Sequence, residues 1–397
     1  MIKTVVITGI TGQMGSYFAE FLLEKNFRVV GVVRRLSVPN RNNIYQIKNP
    51  NFILELGDLG DSHSIERIIN KYKPEYFINC AANSFVGTSW DCPEQHFEYN
   101  TLGVLRQLEV IRKHSPTTRY LNFGSSEEFG DVAFIPQNEI HPPRARSPYG
   151  ASKCAARQIV KVWRESYNLY ALQCWCFNYE SPRRGEEFIS RKITKGITRI
   201  INSINNKESF KPIELGNLYS KRDWSHALDF VDGVWRMLNQ EEFNSLLKSD
   251  FQDSVFHYIH DSQNPKSILW ETQWLSKYIK EYVFSSGQTH TVKDFINKCL
   301  ELVNIKGEWV GEGLNEKFII NNYLNNIFNL KSSTIIEINK EFYRPAEVNL
   351  LLGSSELAKK ELGWAPKISF NSLIKNMLEN DLKEYNINYT LFNEKSQ

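Results

Sequence analysis

The chain predicts an α/β fold, a doubly wound parallel sheet with a smaller, discontinuous α/β lobe. Three observations carry that expectation. Short β-branched runs alternate with amphipathic stretches through the first half, as repeated strand, helix, strand units do. A glycine-rich turn joins the first run to the first amphipathic stretch. After Asn178 the alternation gives way to loops, helices and clustered basic residues. With 397 residues, 41% of them hydrophobic, the chain can build one large core or two smaller ones.

Taken in order, Thr4 to Thr8 reads as a strand, Gln13 to Lys25 as a helix and Arg28 to Val33 as a second strand. An apolar run at Phe52 to Leu56, a helix from Ser64 to Tyr72 and a strand at Tyr76 to Cys80 continue the pattern. A long helix ending near His114 and a strand at Tyr120 to Phe123 complete it. Parallel pairing with helices on both faces is the economical arrangement. The expected division is 1–178, with returns of chain around 220–260, and a lobe formed mainly by 179–397.

The charge balance narrows the function. Lys and Arg number 48 against 45 Asp and Glu, so no global basic field draws the chain to nucleic acid or an anionic membrane. No apolar run approaches the ~20 residues that span a bilayer, and the opening MIKTVVITG lacks the long apolar region of a signal peptide. The expected location is the cytoplasm. Six cysteines without a CxxC pair suit free thiols in a reducing compartment, and Cys174 and Cys176 lack further ligands for a metal.

Gly9-Ile10-Thr11-Gly12-Gln13-Met14-Gly15 lies between the first strand and first helix. There a backbone turns tightly and approaches a pyrophosphate at a helix N-terminus, as in a Rossmann-type dinucleotide site. The alternative is an ordinary tight turn. The second strand ends in Val33-Arg34-Arg35, where an NAD site usually places an acidic residue; two cations favour the 2′-phosphate of NADP. A solvated loop pair or a subunit contact are the other readings.

In Ser147-Pro148-Tyr149-Gly150-Ala151-Ser152-Lys153, Ser147 suits an N-cap and Pro148 the first helical position, so Tyr149 and Lys153 share one face at i and i+4. An ammonium beside a phenol stabilises the phenolate, fitting Tyr149 to take a proton from a hydroxyl as hydride leaves its carbon. Gly124-Ser125-Ser126-Glu127-Glu128 follows the Tyr120 strand at the sheet edge where such folds bind ligands. Ser125, Tyr149 and Lys153 form a dehydrogenase triad. Glu127 adds the acid/base group that a dehydration needs, with Ser126 available to help protonate a leaving hydroxyl. Glu128 is expected to be salt-bridged or solvated, pointed away from Glu127 by alternation in an extended segment.

These residues resemble the GDP-mannose 4,6-dehydratase family, extended short-chain dehydrogenases, along nearly the whole chain. Gly57-Asp58-Leu59 is similar to the family's adenine-contacting turn, and Ala81-Ala82-Asn83-Ser84 to the segment along the cofactor. Asn178-Tyr179-Glu180-Ser181-Pro182-Arg183-Arg184-Gly185, Ser190-Arg191-Lys192, Arg222-Asp223-Trp224 and Arg344-Pro345-Ala346-Glu347 are similar to its second-half signatures. The resemblance implies cofactor contacts from Gly9, Thr11, Gly12, Gln13, Met14, Gly15, Arg34, Arg35, Asp58, Leu59, Ala81, Ala82, Ser84, Tyr149, Lys153 and Arg184. It implies substrate contacts from Ser84, Ser126, Asn178, Lys192, Arg222, Arg344 and Glu347, the cations on a diphosphate.

The implied cycle oxidises the sugar at C4, removes water across C5 and C6, and returns the hydride to C6. NADP is the implied cofactor, a GDP-linked sugar the substrate, and a homodimer or homotetramer the assembly, with the Arg34 to Asn43 loop the candidate for crossing to a neighbour. GDP-heptose or GDP-N-acetylglucosamine dehydration, a nucleotide-sugar 4-epimerase and a non-catalytic NADP-binding scaffold are the alternatives. The chain departs from the family pattern at Met14 for Asp, Tyr179 for His, Ser225 for Gly and Ser125 for Thr. Asp261 to Glu281, with Trp270, Trp274 and Tyr278, reads as an insertion whose aromatics pack on the lobe, meet another subunit or reach the sugar.

Overall fold

The computed structural model describes residues 2–241, 279–323, 333–343, 346 and 348–387. The chain begins with β1 (Thr4–Thr8), buried throughout as a central parallel strand covered on both faces must be. It runs through α1 (Gln13–Glu24), β2 (Arg28–Val33), β3 (Phe52–Leu56), α2 (Ser62–Tyr72) and β4 (Tyr76–Asn79). A short helix α3 (Pro93–Phe97) passes through a wide turn over Glu98–Leu102 into α4 (Gly103–His114). Then come β5 (Arg119–Phe123), α5 (Pro148–Tyr167) and β6 (Ala171–Cys176). Capping fixes the starts of two of these helices, α5 where it was expected and α2 two residues before the expected Ser64. Asp61 accepts from the His63 amide at 3.1 Å to head α2, and Ser147 accepts from the Gly150 amide at 3.0 Å to head α5, with Pro148 in its first turn.

The chain next builds β7 (Asn178–Glu180), α6 (Ile189–Asn205), β8 (Ile213–Leu215), β9 (Lys221–Arg222) and β10 (Trp224–His226). After α7 (Ala227–Leu238) come β11 (Val283–Phe284), β12 (His290–Thr291), α8 (Val292–Leu302), β13 (Ile305–Val310), β14 (Lys317–Tyr323) and β15 (Ser333–Ile338). It ends with α9 (Glu356–Leu362) and α10 (Phe370–Glu384).

Two units result. The first takes the described residues of Met1–Phe177, Ala227–Gly287 and Gly353–Ala365; the second takes those of Asn178–His226, Gln288–Leu352 and Pro366–Gln397. In the first, a seven-stranded sheet runs β11-β6-β5-β4-β1-β2-β3 with every neighbouring pair parallel. This is the doubly wound α/β sheet that the alternating sequence predicted. Its register aligns Thr8, Asn79, Asn122 and Gln173 side by side near the strand ends. The Gly353–Ala365 return places Trp364 against Phe230 and Phe284, ring centroids 6.0 and 4.9 Å away, with its indole N–H donating to the Asp229 carbonyl at 2.8 Å. In the second unit, β13-β14-β15-β8 form a four-stranded sheet. Its core draws Ile193, Ile197, Ile200 and Ile201 from α6, Phe295 and Ile296 from α8, and Leu373 and Met377 from α10. Of the expected insertion, Trp270, Trp274 and Tyr278 lie outside the described residues.

Candidate active site

The glycine turn of the first unit owes its residues to close approach. Gly9 has φ 65°, and a Cβ there would stand 2.7 Å from the Ala81 nitrogen; a Cβ on Gly15 would stand 2.4 Å from the Gly9 carbonyl oxygen. Gly12 heads α1 with no side-chain cap, and no acidic residue occupies the first turn. This cradle fits a dinucleotide pyrophosphate, which would take the place of a cap at the helix N-terminus. Gln13 and Met14 are buried in the first turn of α1, and the Thr11 carbonyl accepts from Asn43 Nδ2 at 3.0 Å. Beside them, a cavity of about 220 Å³ is lined by Thr11, Arg34, Arg35 and Leu56 and also by Arg41, a third cation that the sequence reading passed over. Asp58 closes its own turn by accepting from the Gly60 amide at 2.8 Å. Leu59 is buried, Ala81 and Ala82 are half-buried, and Ser84 is exposed.

Beyond β5, Ser126–Glu128 form a single helical turn headed by Ser125, whose Oγ accepts from the Glu127 amide at 3.2 Å. The turn packs on the start of α5 so closely that a Cβ on Gly150 would lie 2.6 Å from the Glu127 carbonyl oxygen. Glu127, Tyr149 and Lys153 are 8%, 7% and 3% exposed, and Ser126 is buried with them. Lys153 Nζ donates to the Phe123 carbonyl at 2.7 Å and lies 6.0 Å from the Tyr149 ring centroid. Burial pushes the Lys153 ammonium down to about 8, opposed by the nearby Glu128 carboxylate.

Glu128 corrects one expectation. The segment is a turn rather than an extended strand, so the side chain folds back to accept from the Ser125 amide at 2.8 Å. It is fully buried and paired with Arg157, Nε to Oε2 2.5 Å; the solvated alternative is excluded. Behind it runs a ladder of buried side chains. Thr8 Oγ1 donates to Asn79 Oδ1 at 2.5 Å, Asn79 Nδ2 to Asn122 Oδ1 at 2.8 Å, Asn122 Nδ2 to Gln173 Oε1 at 2.6 Å, and Gln173 Nε2 to Glu128 Oε1 at 3.1 Å. The sequence does carry a signal for it, one amide breaking each of the apolar runs of β4, β5 and β6.

The second unit holds the other candidates. Asn178 opens β7 with its Oδ1 buried and unpaired among the described residues. Lys192 Nζ sits 3.6 Å from the Phe342 ring centroid, its pKa lowered by burial. Arg222 is buried on β9 and donates to the Lys221 carbonyl at 3.0 Å. Arg184 stands in this unit, ion-paired to Glu180 at 3.2 Å and stacked 3.5 Å over Phe188. Ser220 Oγ, Ser225 Oγ and His290 Nε2 are further buried polar atoms without hydrogen-bond partners among the described residues; Ser220 and His290 escaped the sequence reading. Arg344 and Glu347 lie outside the described residues. Cys174 and Cys176 are buried with Sγ atoms 3.5 Å apart, and no group of three or more potential metal ligands occurs among the described residues.

Comparison with known proteins bears on this arrangement. The family model described as GDP-mannose 4,6 dehydratase matches residues 6–255 and 269–377, so the match is interrupted across the front of the stretch read as an insertion. The chain is 36% identical over 390 residues to the GDP-mannose 4,6 dehydratase of Drosophila melanogaster, covering 96% of this chain and 86% of that one. It is also 36% identical over 396 residues to the GDP-mannose 4,6-dehydratase of Vibrio cholerae, covering 96% and 94%. Among solved structures, the UDP-glucose 4-epimerase of Thermotoga maritima superposes with TM-score 0.70 at 19% identity, covering 96% and 99%. The dTDP-glucose 4,6-dehydratase of Bacillus anthracis in complex with NAD gives 0.68 at 17%, covering 97% and 98%. RMD from Pseudomonas aeruginosa complexed with NADPH gives 0.66 at 19%, covering 97% and 99%. At these identities the structures share the fold.

Proposed function

The chain belongs to the GDP-mannose 4,6-dehydratase family, and from that membership we propose that it converts GDP-mannose to GDP-4-keto-6-deoxymannose with a retained NADP. The observation that supports the chemistry is the buried Glu127, set on a turn packed against the head of the helix that bears Tyr149 and Lys153. When bound, NADP would supply the acceptor for the C4 hydride and the donor that returns it at C6, and a proton returned to C5 would complete the product. Tyr149 takes the C4 hydroxyl proton, and the Lys153 ammonium stabilises the phenolate. Ser125 hydrogen-bonds the same oxygen. The C4 ketone acidifies the C5 proton, which Glu127 removes; the C6 hydroxyl leaves as water, with Ser126 helping to protonate it.

The glycine turn, Asp58, Leu59, Ala81, Ala82 and Ser84 hold the dinucleotide, with Arg184 at its side, while Arg34, Arg35 and Arg41 favour NADP through its 2′-phosphate. Asn178, Lys192, Arg222, Arg344 and Glu347 bind the nucleotide-sugar, and the unpaired polar atoms of the second unit suit a polar ligand. The same reading places the enzyme in the cytoplasm as a homodimer or homotetramer.

The test is incubation of the purified protein with GDP-mannose and no added cofactor. Mass spectrometry is expected to find a product short of one water and, after denaturation, released NADP rather than NAD. Absence of that product, with one formed from GDP-heptose or GDP-N-acetylglucosamine, would move the assignment to another sugar. Glu127→Gln is expected to slow dehydration about 10²–10⁴-fold while C4 oxidation continues. A variant with undiminished turnover would point to a 4-epimerase, which needs no base at C5.

A further inference from the structure

Three buried ionic side chains of the first unit, Glu128, Arg157 and Arg164, and the half-buried Glu281 take no part in the chemistry above. Glu128 pairs with Arg157 Nε at 2.5 Å; Arg157 Nη1 meets Glu281 Oε2 at 2.8 Å, and Glu281 Oε1 meets Arg164 Nη1 at 2.8 Å. Arg157 also donates to the Gln173 and Cys174 carbonyls at 2.7 and 3.0 Å and stacks 3.5 Å over Trp175. Arg157 and Arg164 lie on α5, the helix that carries Tyr149 and Lys153.

Glu128 stands where this cluster meets the amide ladder that begins at Thr8, directly before the glycine turn. Each ladder amide accepts from one neighbour and donates to the next, so the bonds polarise one another toward the carboxylate at the end. We propose that Glu128 is a positioning residue for the dehydratase reaction: from behind the site it locks the turn bearing Ser125 and Glu127 to the helix bearing Tyr149 and Lys153. It does so through two contacts. Its Oε1 receives the Ser125 amide at 2.8 Å, and its Oε2 receives the Arg157 guanidinium of α5. Its charge also favours the protonated form of Lys153.

The inference rests on the proposed function for its reaction, so its test uses the C4 oxidation that dehydratases and 4-epimerases share, together with a measurement that needs no substrate. In Glu128→Gln the side-chain amide would face the Arg157 donor. The rate at which bound NADP is reduced in a single turnover with GDP-mannose is expected to fall on the order of 10²-fold, with KM little changed. The high-pH edge of that rate is expected to move to lower pH, because Lys153 loses its proton sooner. Hydrogen exchange over residues 123–129 is expected to quicken. Glu128→Asp, which keeps the charge, should restore the pH edge even with a slower rate.

A Glu128→Gln protein with native oxidation rate, pH edge and exchange would overturn the proposal. So would one that loses stability and rate while its pH edge stays in place, since that is what a merely structural residue would do. If the wild type neither oxidises nor dehydrates GDP-mannose, the reading of the substrate fails separately, and unchanged exchange in Glu128→Gln alone would still sink the positioning role.

Discussion

Lys153 is held at about 8 because burial disfavours its ammonium, even with Glu128 nearby to favour it. The folded value lies below the 10.5 of an ordinary lysine, so between the two the unfolded chain binds more protons than the folded one. The contribution of this site to stability therefore rises with pH across that window and is unfavourable below it. In the proposed mechanism catalysis runs the other way, since a phenolate at Tyr149 would need the ammonium beside it. The expected outcome is that kcat falls along an edge near 8 while thermal stability attributable to this residue improves. Lys153→Met should lose about 10²–10⁴-fold in kcat, and its melting temperature relative to the wild type should be highest near neutral pH and decline as pH rises. A kcat that stays level well above that edge would show that the lysine charge is not required.

At the scale of elements, Gly15 and Asp61 both stand at helix starts and predict opposite results. Gly15→Ala drives a Cβ into the Gly9 carbonyl, so the variant is expected to purify without NADP and without activity, as absorbance and mass spectrometry would report. Asp61→Ala removes only a cap from the exposed start of α2; about 1 kcal/mol of stability should go, with turnover intact. The same contrast explains what was legible beforehand. β1, β2 and β3 were readable to the residue because short apolar runs between turn residues mark parallel strands, buried at β1 and half-buried at the edge strand β3, and the Ser147 cap marked α5. Ser125, Glu127, Tyr149 and Lys153 were readable because local motif spacing carries them, although the role of each still awaits its variant. β9, β11 and β12, two residues each, are too short to show a period. The partnership of Glu128 with Arg157 and Glu281 joins residues distant in sequence, and only the folded sheet brings them together.

At the scale of the molecule, the unit holding the glycine turn is assembled from three stretches of chain. Residues 1–177 expressed alone would lack α7, β11 and Trp364, and the expected result is an insoluble fragment that retains no NADP. In the full chain, Trp364→Ala should cost about 3–5 kcal/mol, read as a lowered denaturation midpoint, because it empties the space between Phe230 and Phe284. The same discontinuity sets a schedule on the ribosome. In the finished sheet the amides of Trp175 and Phe177 donate to the Tyr282 and Phe284 carbonyls at 3.0 Å. The chain that supplies those carbonyls is translated about a hundred residues later, roughly 5–20 s at ordinary elongation rates. For that interval the nascent β6 offers an open strand edge able to pair with a neighbouring nascent chain on the same polysome. Yield of soluble enzyme should therefore depend on holdase chaperones during synthesis far more than on the stability of the completed protein.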